Sequence, residues 1–181
     1  MDAQPAQRRS FADLHTHSAA SFDSLSDPQK MMAKAVRLGL THLAITDHER
    51  IDGAQAAAEV APPGLQVIVG EEIKSRDGDI IGLFLREAVP PGLSAAETAA
   101  AIRDQGGLVG LPHPFDSFRS SGGSEAGEAE QKLEALAAII DYVEIHNARA
   151  YRDANPLAGA FAQRQGLPGT ASSDAHSIIE L

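Results

Sequence analysis

The chain has no cysteine among its 181 residues. Disulfide frameworks, thiolate metal sites and a cysteine nucleophile are therefore excluded, and any metal must sit on His, Asp or Glu. Aromatic residues are also scarce, at 4%, whereas 43% of the residues are hydrophobic. That apolar content is mostly Ala, Leu, Ile and Val, which suits buried parallel strands packed by Ala-rich helices and favours an α/β fold. No apolar run approaches a membrane span, and the polar stretch Met1–Ser10, with Arg8 and Arg9, lacks the apolar core of a signal peptide. A cytoplasmic protein with no membrane partner is the expectation. Positive charge is in short supply, since 15 Lys and Arg face 25 Asp and Glu for a formal net charge of −10. Such a chain is not expected to attract a nucleic acid polymer nonspecifically. An anionic substrate would need local positive charge, which bound divalent cations can supply. There is also no Gly-x-Ser-x-Gly elbow and no phosphate-binding glycine-rich loop, which argues against serine hydrolase and nucleoside-triphosphate kinase readings.

What is present is an alternation of two periodicities. The length predicts one domain, residues 11–181, after a polar tail of residues 1–10. Apolar runs predict strands at 11–15, 42–46, 66–70, 80–85, 108–112, 142–146 and 169–172. Helix-period segments lie between them at 27–38, 52–60, 94–104, 125–140 and 155–164. Pro28 stands in a first turn, Ser94 and Glu97 form a capping box, and Gly39, Gly106 and Gly166 sit where a terminal glycine belongs. Within Ile73–Leu85 the Asp77-Gly78 pair predicts a tight turn between two strands. The stretch 120–130, rich in Ser, Gly and Glu, reads as a loop.

The polar residues fall at the ends of these strands. His15 and His17 end the first, Asp47 and His48 follow the second, and Glu71 and Glu72 follow the third. His113, His146 and the pair Asp174 and His176 close later ones. In a parallel barrel such ends converge on one face, where barrel enzymes build their sites. Any one of these histidines has an ordinary explanation as a locally hydrogen-bonded side chain. Six of them with interleaved carboxylates are costly to bury together unless a cation compensates them.

The strings Asp13-Leu14-His15-Thr16-His17-Ser18, Ile45-Thr46-Asp47-His48, Gly70-Glu71-Glu72-Ile73, His113-Pro114 and Ser173-Asp174-Ala175-His176 resemble, in order, the motifs of the polymerase and histidinol phosphatase (PHP) family. The resemblance implies a distorted (β/α)7 TIM-like barrel with a metal site at the C-terminal ends of its strands. It implies two or three divalent ions, Zn, Mn or Fe. His15 and His17 would ligate one of them with Glu72 and Asp174, and Glu72 would bridge to a second that also holds His113. Asp23, His48 and His176 would hold a third. Asp23 has a competing reading as a cap of the helix that begins at Pro28. The sequence departs from many members at Asp79, which stands where a ligand histidine is common; a carboxylate remains a competent ligand, and a solvated turn residue is the alternative.

The catalytic set implied is His15, His17, Glu72, His113, Asp174 and His176. Arg119, Arg149 and Lys74 are the cations nearest the motifs, with Arg119 and Arg149 as candidate phosphate contacts beside His146, which the resemblance does not make a ligand. The activity implied is hydrolysis of a small phosphomonoester or phosphodiester by metal-activated water. An amidohydrolase-like reaction on a carbon–nitrogen bond remains open, as does a noncatalytic metal-stabilised regulatory module. The oligomeric state is not legible.

Overall fold

The computed structural model describes residues 9–116, 126–151 and 153–181. The predicted tail falls mostly outside them, as do Arg119 and most of the predicted 120–130 loop. Seven strands form one sheet in sequence order: β1 (Ala12–Asp13), β2 (His42–Ile45), β3 (Gln66–Ser75), β4 (Gly78–Leu83), β5 (Leu108–Leu111), β6 (Tyr142–Asn147) and β7 (Gly169–Ser172). The pairings are parallel except at β3–β4 and β4–β5, which are antiparallel. The fold is thus a nearly closed barrel with one inverted strand.

β1 is shorter than its apolar pattern predicts because the chain beyond Asp13 becomes the seam of the barrel. Asp13 Oδ1 accepts from the Ser173 backbone N–H at 3.1 Å, and Thr16 bridges to Ala175 in parallel. Asp174 N donates to His15 O at 2.8 Å and His17 N to Ala175 O at 2.9 Å. These bonds satisfy backbone groups that a sheet edge would leave open, and they hold the His-x-His segment against the segment after β7.

The helices are α1 (Pro28–Leu38), α2 (Asp52–Glu59), α3 (Ala95–Asp104), α4 (Ala126–Ala137) and α5 (Ala154–Gln165). Asp27 caps α1 by accepting from Gln29 N and Lys30 N, and Gly39 ends it in the left-handed region at φ 79°. α3 has the expected capping box, with Ser94 and Glu97 bonded reciprocally. The predicted turn is displaced by one residue: Ser75 pairs with Gly78, so Arg76-Asp77 make the turn and Gly78 opens β4.

Two apolar layers cover the sheet. Met31, Met32 and Ala35 of α1 pack with Ala54 and Ala57 of α2 on Leu43, Ile45 and Val67. Ala95, Ala99 and Ile102 of α3 and Phe161 of α5 pack on Ile73 and Ile80. Inside the barrel, Ala44, Ile68, Ile81, Leu83 and Tyr142 form a separate apolar plug. Tyr142 lies flush against Gly110, where any Cβ would overlap its ring, so the plug depends on that glycine. The plug closes one end of the barrel and leaves the C-terminal rim to polar residues.

Candidate metal centre

The side chains on the rim converge because the parallel strands β1, β2, β6 and β7 all end there, while β3 rises past them to its hairpin. His15, His17 and Asp174 are fully buried, and Glu72 and His113 nearly so. His15 Nε2 lies 3.1 Å from His17 Nε2 and 3.2 Å from Glu72 Oε2, and His17 Nε2 lies 3.3 Å from the same oxygen. A tetrahedral ion with ligand arms of about 2.0–2.2 Å has edges of about 3.3–3.6 Å, so this triangle has nearly the size of one face. Asp174 Oδ1 approaches the same two nitrogens at 3.5 and 3.4 Å.

The other oxygen of Glu72, Oε1, meets His113 Nε2 at 3.3 Å. The carboxylate therefore spans two groups of nitrogens, as a bridging ligand must. On the outer side, Asp23 Oδ2 lies 3.0 Å from His176 Nε2 and 3.3 Å from His48 Nε2, and His17, Asp23, His48 and His176 together could hold an ion. Asp23 does not cap a helix; that role belongs to Asp27. His113 (φ 27°) and Asp174 (φ 53°) both take left-handed backbone, a conformation that costs most residues energy and is found where a site requires it.

The electrostatics of the rim demand positive charge. Burial works against an imidazolium at His15, yet the carboxylates of Glu144, Asp174 and Glu72 outweigh it and hold the group well above its ordinary value. Burial would raise Glu72, but the charge of His15 and hydrogen bonds from His113, His15 and His17 hold it well below the usual carboxylate range. The carboxylates thus retain protons on His15 and His17, and a divalent cation satisfies the same demand while releasing them. The donor set, imidazole and carboxylate without thiolate, fits such an ion.

Two residues that the sequence reading left without a role orient the others. Glu144 Oε1 lies 3.1 Å from His15 Nδ1, which directs the Nε2 lone pair at the candidate ion, and its Oε2 accepts from His113 N at 2.9 Å. Asn147 Nδ2 donates to Glu144 Oε2 at 2.9 Å and to Asp174 Oδ2 at 3.0 Å. Both lie in the segment Glu144-Ile145-His146-Asn147 of β6, where a register shift between Glu144 and His146 changes which side chains face inward. The bulge leaves His146 exposed, with its Nδ1 3.3 Å from Asn155 Nδ2. Strict alternation could not reveal this; only a signal for the bulge would have.

Asp79, which stands where a ligand histidine is common, is engaged by Lys74. It opposes Lys74 across the hairpin, two residues beyond the Glu72–Ile81 pair, and its carboxylate binds the Lys74 ammonium at 3.2 Å. It joins none of the three candidate ligand groups. Asp47 braces the loop after His17 by accepting from Ser18 N at 2.6 Å and Ser18 Oγ at 2.7 Å. Gly53 permits this, because a Cβ there would stand 2.7 Å from Asp47 Oδ2. Arg149 enters the rim, its guanidinium bonded to His176 Nδ1 and 4.0 Å from Asp174 Oδ1. A separate groove of about 600 Å³ runs between Met32 and Val36 of α1 and the Val60–Pro62 segment, and none of the candidate ligands lines it.

A barrel whose polar rim gathers imidazoles and carboxylates around shared points is the architecture of a metal-site protein of the TIM-like class. The PHP domain model matches residues 13–111, and a model of the PHP-associated region matches residues 152–181. The chain belongs to the PHP domain family. An uncharacterized protein of Methanocaldococcus jannaschii is 34% identical over 148 residues, 76% of this chain and 81% of that one. Among solved structures, a two-domain protein containing a predicted PHP-like metal-dependent phosphoesterase, from Bacteroides vulgatus, matches with a TM-score of 0.75 at 22% identity. That match covers 93% of this chain and 52% of the other, so the chain spans about half of that neighbour. An amidohydrolase from Chromobacterium violaceum, solved with bound sulfate and no metal, matches with a TM-score of 0.70 at 16% identity over 92% of this chain and 87% of that one. At these identities the structural likeness is one of fold. No described helix is long and apolar enough to cross a membrane.

Proposed function

We propose that the chain is a metal-dependent phosphoesterase that hydrolyses a small phosphomonoester or phosphodiester with water as the nucleophile. The observation that carries this reading is the buried triangle of His15 Nε2, His17 Nε2 and Glu72 Oε2, with edges of 3.1, 3.2 and 3.3 Å. When bound, divalent cations supply Lewis acidity toward phosphoryl oxygens and bring the pKa of a coordinated water toward neutrality. His15, His17, Glu72 and Asp174 would hold the first ion. Glu72 and His113 would hold the second, and Asp23, His48 and His176 the third. Zn, Mn and Fe all suit imidazole and carboxylate donors.

The protein's own residues supply orientation and charge. Glu144 keeps the His15 ring turned so that Nε2 offers its lone pair, and Asn147 ties Glu144 to Asp174. The Arg149 guanidinium, beside His176 and Asp174 and 3.7 Å from Glu180, would bind phosphoryl oxygens. Arg119, outside the described residues, remains a second candidate for that role. The amidohydrolase reading draws on the Chromobacterium violaceum neighbour, a likeness of fold alone; the rim cation Arg149 favours an anionic substrate.

The test is to strip the purified protein with chelator, reconstitute it with Mn, Zn or Fe, and assay phosphoesters beside cyclic amides. The expected result is metal-dependent turnover of a phosphoester that falls by orders of magnitude in both His17→Ala and His176→Ala. Turnover confined to cyclic amides, or surviving both substitutions, overturns the reading.

A further inference from the structure

The loop between His17 and the first helix carries an exposed aromatic ring against a candidate ligand. Phe22 is 87% exposed, and its ring stacks on that of His48, with centroids 5.0 Å apart and planes inclined by 29°. His48 in turn stacks on His17 at 4.6 Å. The Phe22 phenyl is therefore the outermost of a column of three rings that begins inside the metal centre.

A single exposed apolar side chain is ordinary on a protein surface. Phe22 differs in being held by buried polar anchors on both sides. Ser21 Oγ accepts from His48 N at 3.0 Å and lies 3.4 Å from His17 Nδ1. Ser24 Oγ lies 2.9 Å from both His17 O and His176 O, which share its one hydroxyl proton. Both serines are buried, and next to Phe22 is Asp23, whose carboxylate meets His48 and His176. The backbone that carries the ring is thus tied to three candidate ligands. A ring carried on an anchored backbone, with its outer face open, can take a second ring at reduced cost in ordering.

We propose that Phe22 is a specificity platform: its open face stacks on a planar aromatic or heteroaromatic group in the alcohol portion of the substrate while the phosphoryl group lies at the metal centre. This rests on the phosphoesterase reading and narrows it to esters of ring-bearing alcohols. Aromatic pairs contribute stabilisation beyond the area they bury, so the platform selects aromatic over saturated rings of similar size.

The test compares benzyl phosphate with cyclohexylmethyl phosphate, alcohols of similar size and leaving tendency that differ in aromaticity. It also compares the nonhydrolysable benzyl- and cyclohexylmethylphosphonates as ligands in calorimetry of the metal-loaded protein. The native protein should favour the benzyl member by about 3- to 10-fold in kcat/KM and in binding. Phe22→Ala should bring both ratios close to one, and Phe22→Trp should preserve them. Circular dichroism and metal content of each variant show that the fold and the centre are intact. Equal ratios in the native protein and Phe22→Ala overturn the platform, as does failure of both phosphonates to bind. If neither ester turns over but benzylphosphonate is preferred in a Phe22-dependent way, the hydrolytic reading fails and the platform stands.

Discussion

Glu71 and Glu72 are adjacent on β3, and their surroundings drive them in opposite directions. Glu72 points into the barrel, among His15, His17 and His113, and stays ionised well below the usual range. Glu71 points outward toward the helical layer, where burial pushes its carboxyl up to about 7 despite one hydrogen bond from Val89 N at 2.8 Å, and the nearby charge of Glu49 adds to the rise. Its Oε1 has no hydrogen-bond partner among the described residues. A carboxylate in the inner region is a candidate ligand, whereas one in the outer region is a cost that the fold carries. The same residue type can do either, and the pleat of one strand decides which.

The largest expected effect separates the two directly. Glu72→Gln should weaken metal binding by more than about 100-fold, because it removes a donor shared between two nitrogen groups, whereas outer contacts typically cost about 10–100-fold. Glu71→Gln should leave affinity within a few-fold. Elemental analysis and metal titration with circular dichroism as control will read this; equal losses would erase the distinction between the faces. Next, Glu144→Gln should reduce affinity by about 10- to 100-fold, since Glu144 bonds the His15 ring and the His113 backbone and stands outside the triangle of His15, His17 and Glu72. His42→Ala, outside every candidate ligand group, is the matched control.

The third test concerns pH. Glu71 keeps its proton in the folded chain up to about pH 7, whereas the unfolded chain loses it near 4.5. Between those values the folded state holds more protons, so this residue's contribution to stability is most favourable below the lower value and worsens as pH rises to the upper one. Glu71→Gln should remove a penalty on the order of 2–3 kcal/mol above neutrality. In thermal melts of the chelator-treated protein the variant's advantage should grow from pH 4.5 to pH 7.5; a constant difference would place Glu71 in contact with water or a partner. The smallest effect is expected at the hairpin tip. Asp79→Ala should leave metal stoichiometry unchanged and shift stability by less than about 1 kcal/mol, because the Lys74 end of the ion pair is exposed to water.

Much of this molecule follows from local chemistry. Asp27, Ser94 and Gly166 bound their helices because capping is a matter of a few adjacent residues. The predicted strand runs coincide with observed β2 and β5 because burial on both faces leaves an apolar signature that needs no distant partner. The strand-end histidines were legible for the same reason: a parallel barrel collects its strand ends wherever the alternation holds. What the sequence could not determine was orientation at the irregular points. The bulge in β6 sends Asn147 inward and His146 outward. The reversed strand β4 sets Asp79 against Lys74, and the seam at Asp13 shortens β1. Each depends on pairing between residues far apart in the chain, and the free energy of closing those pairs is absent from any local window.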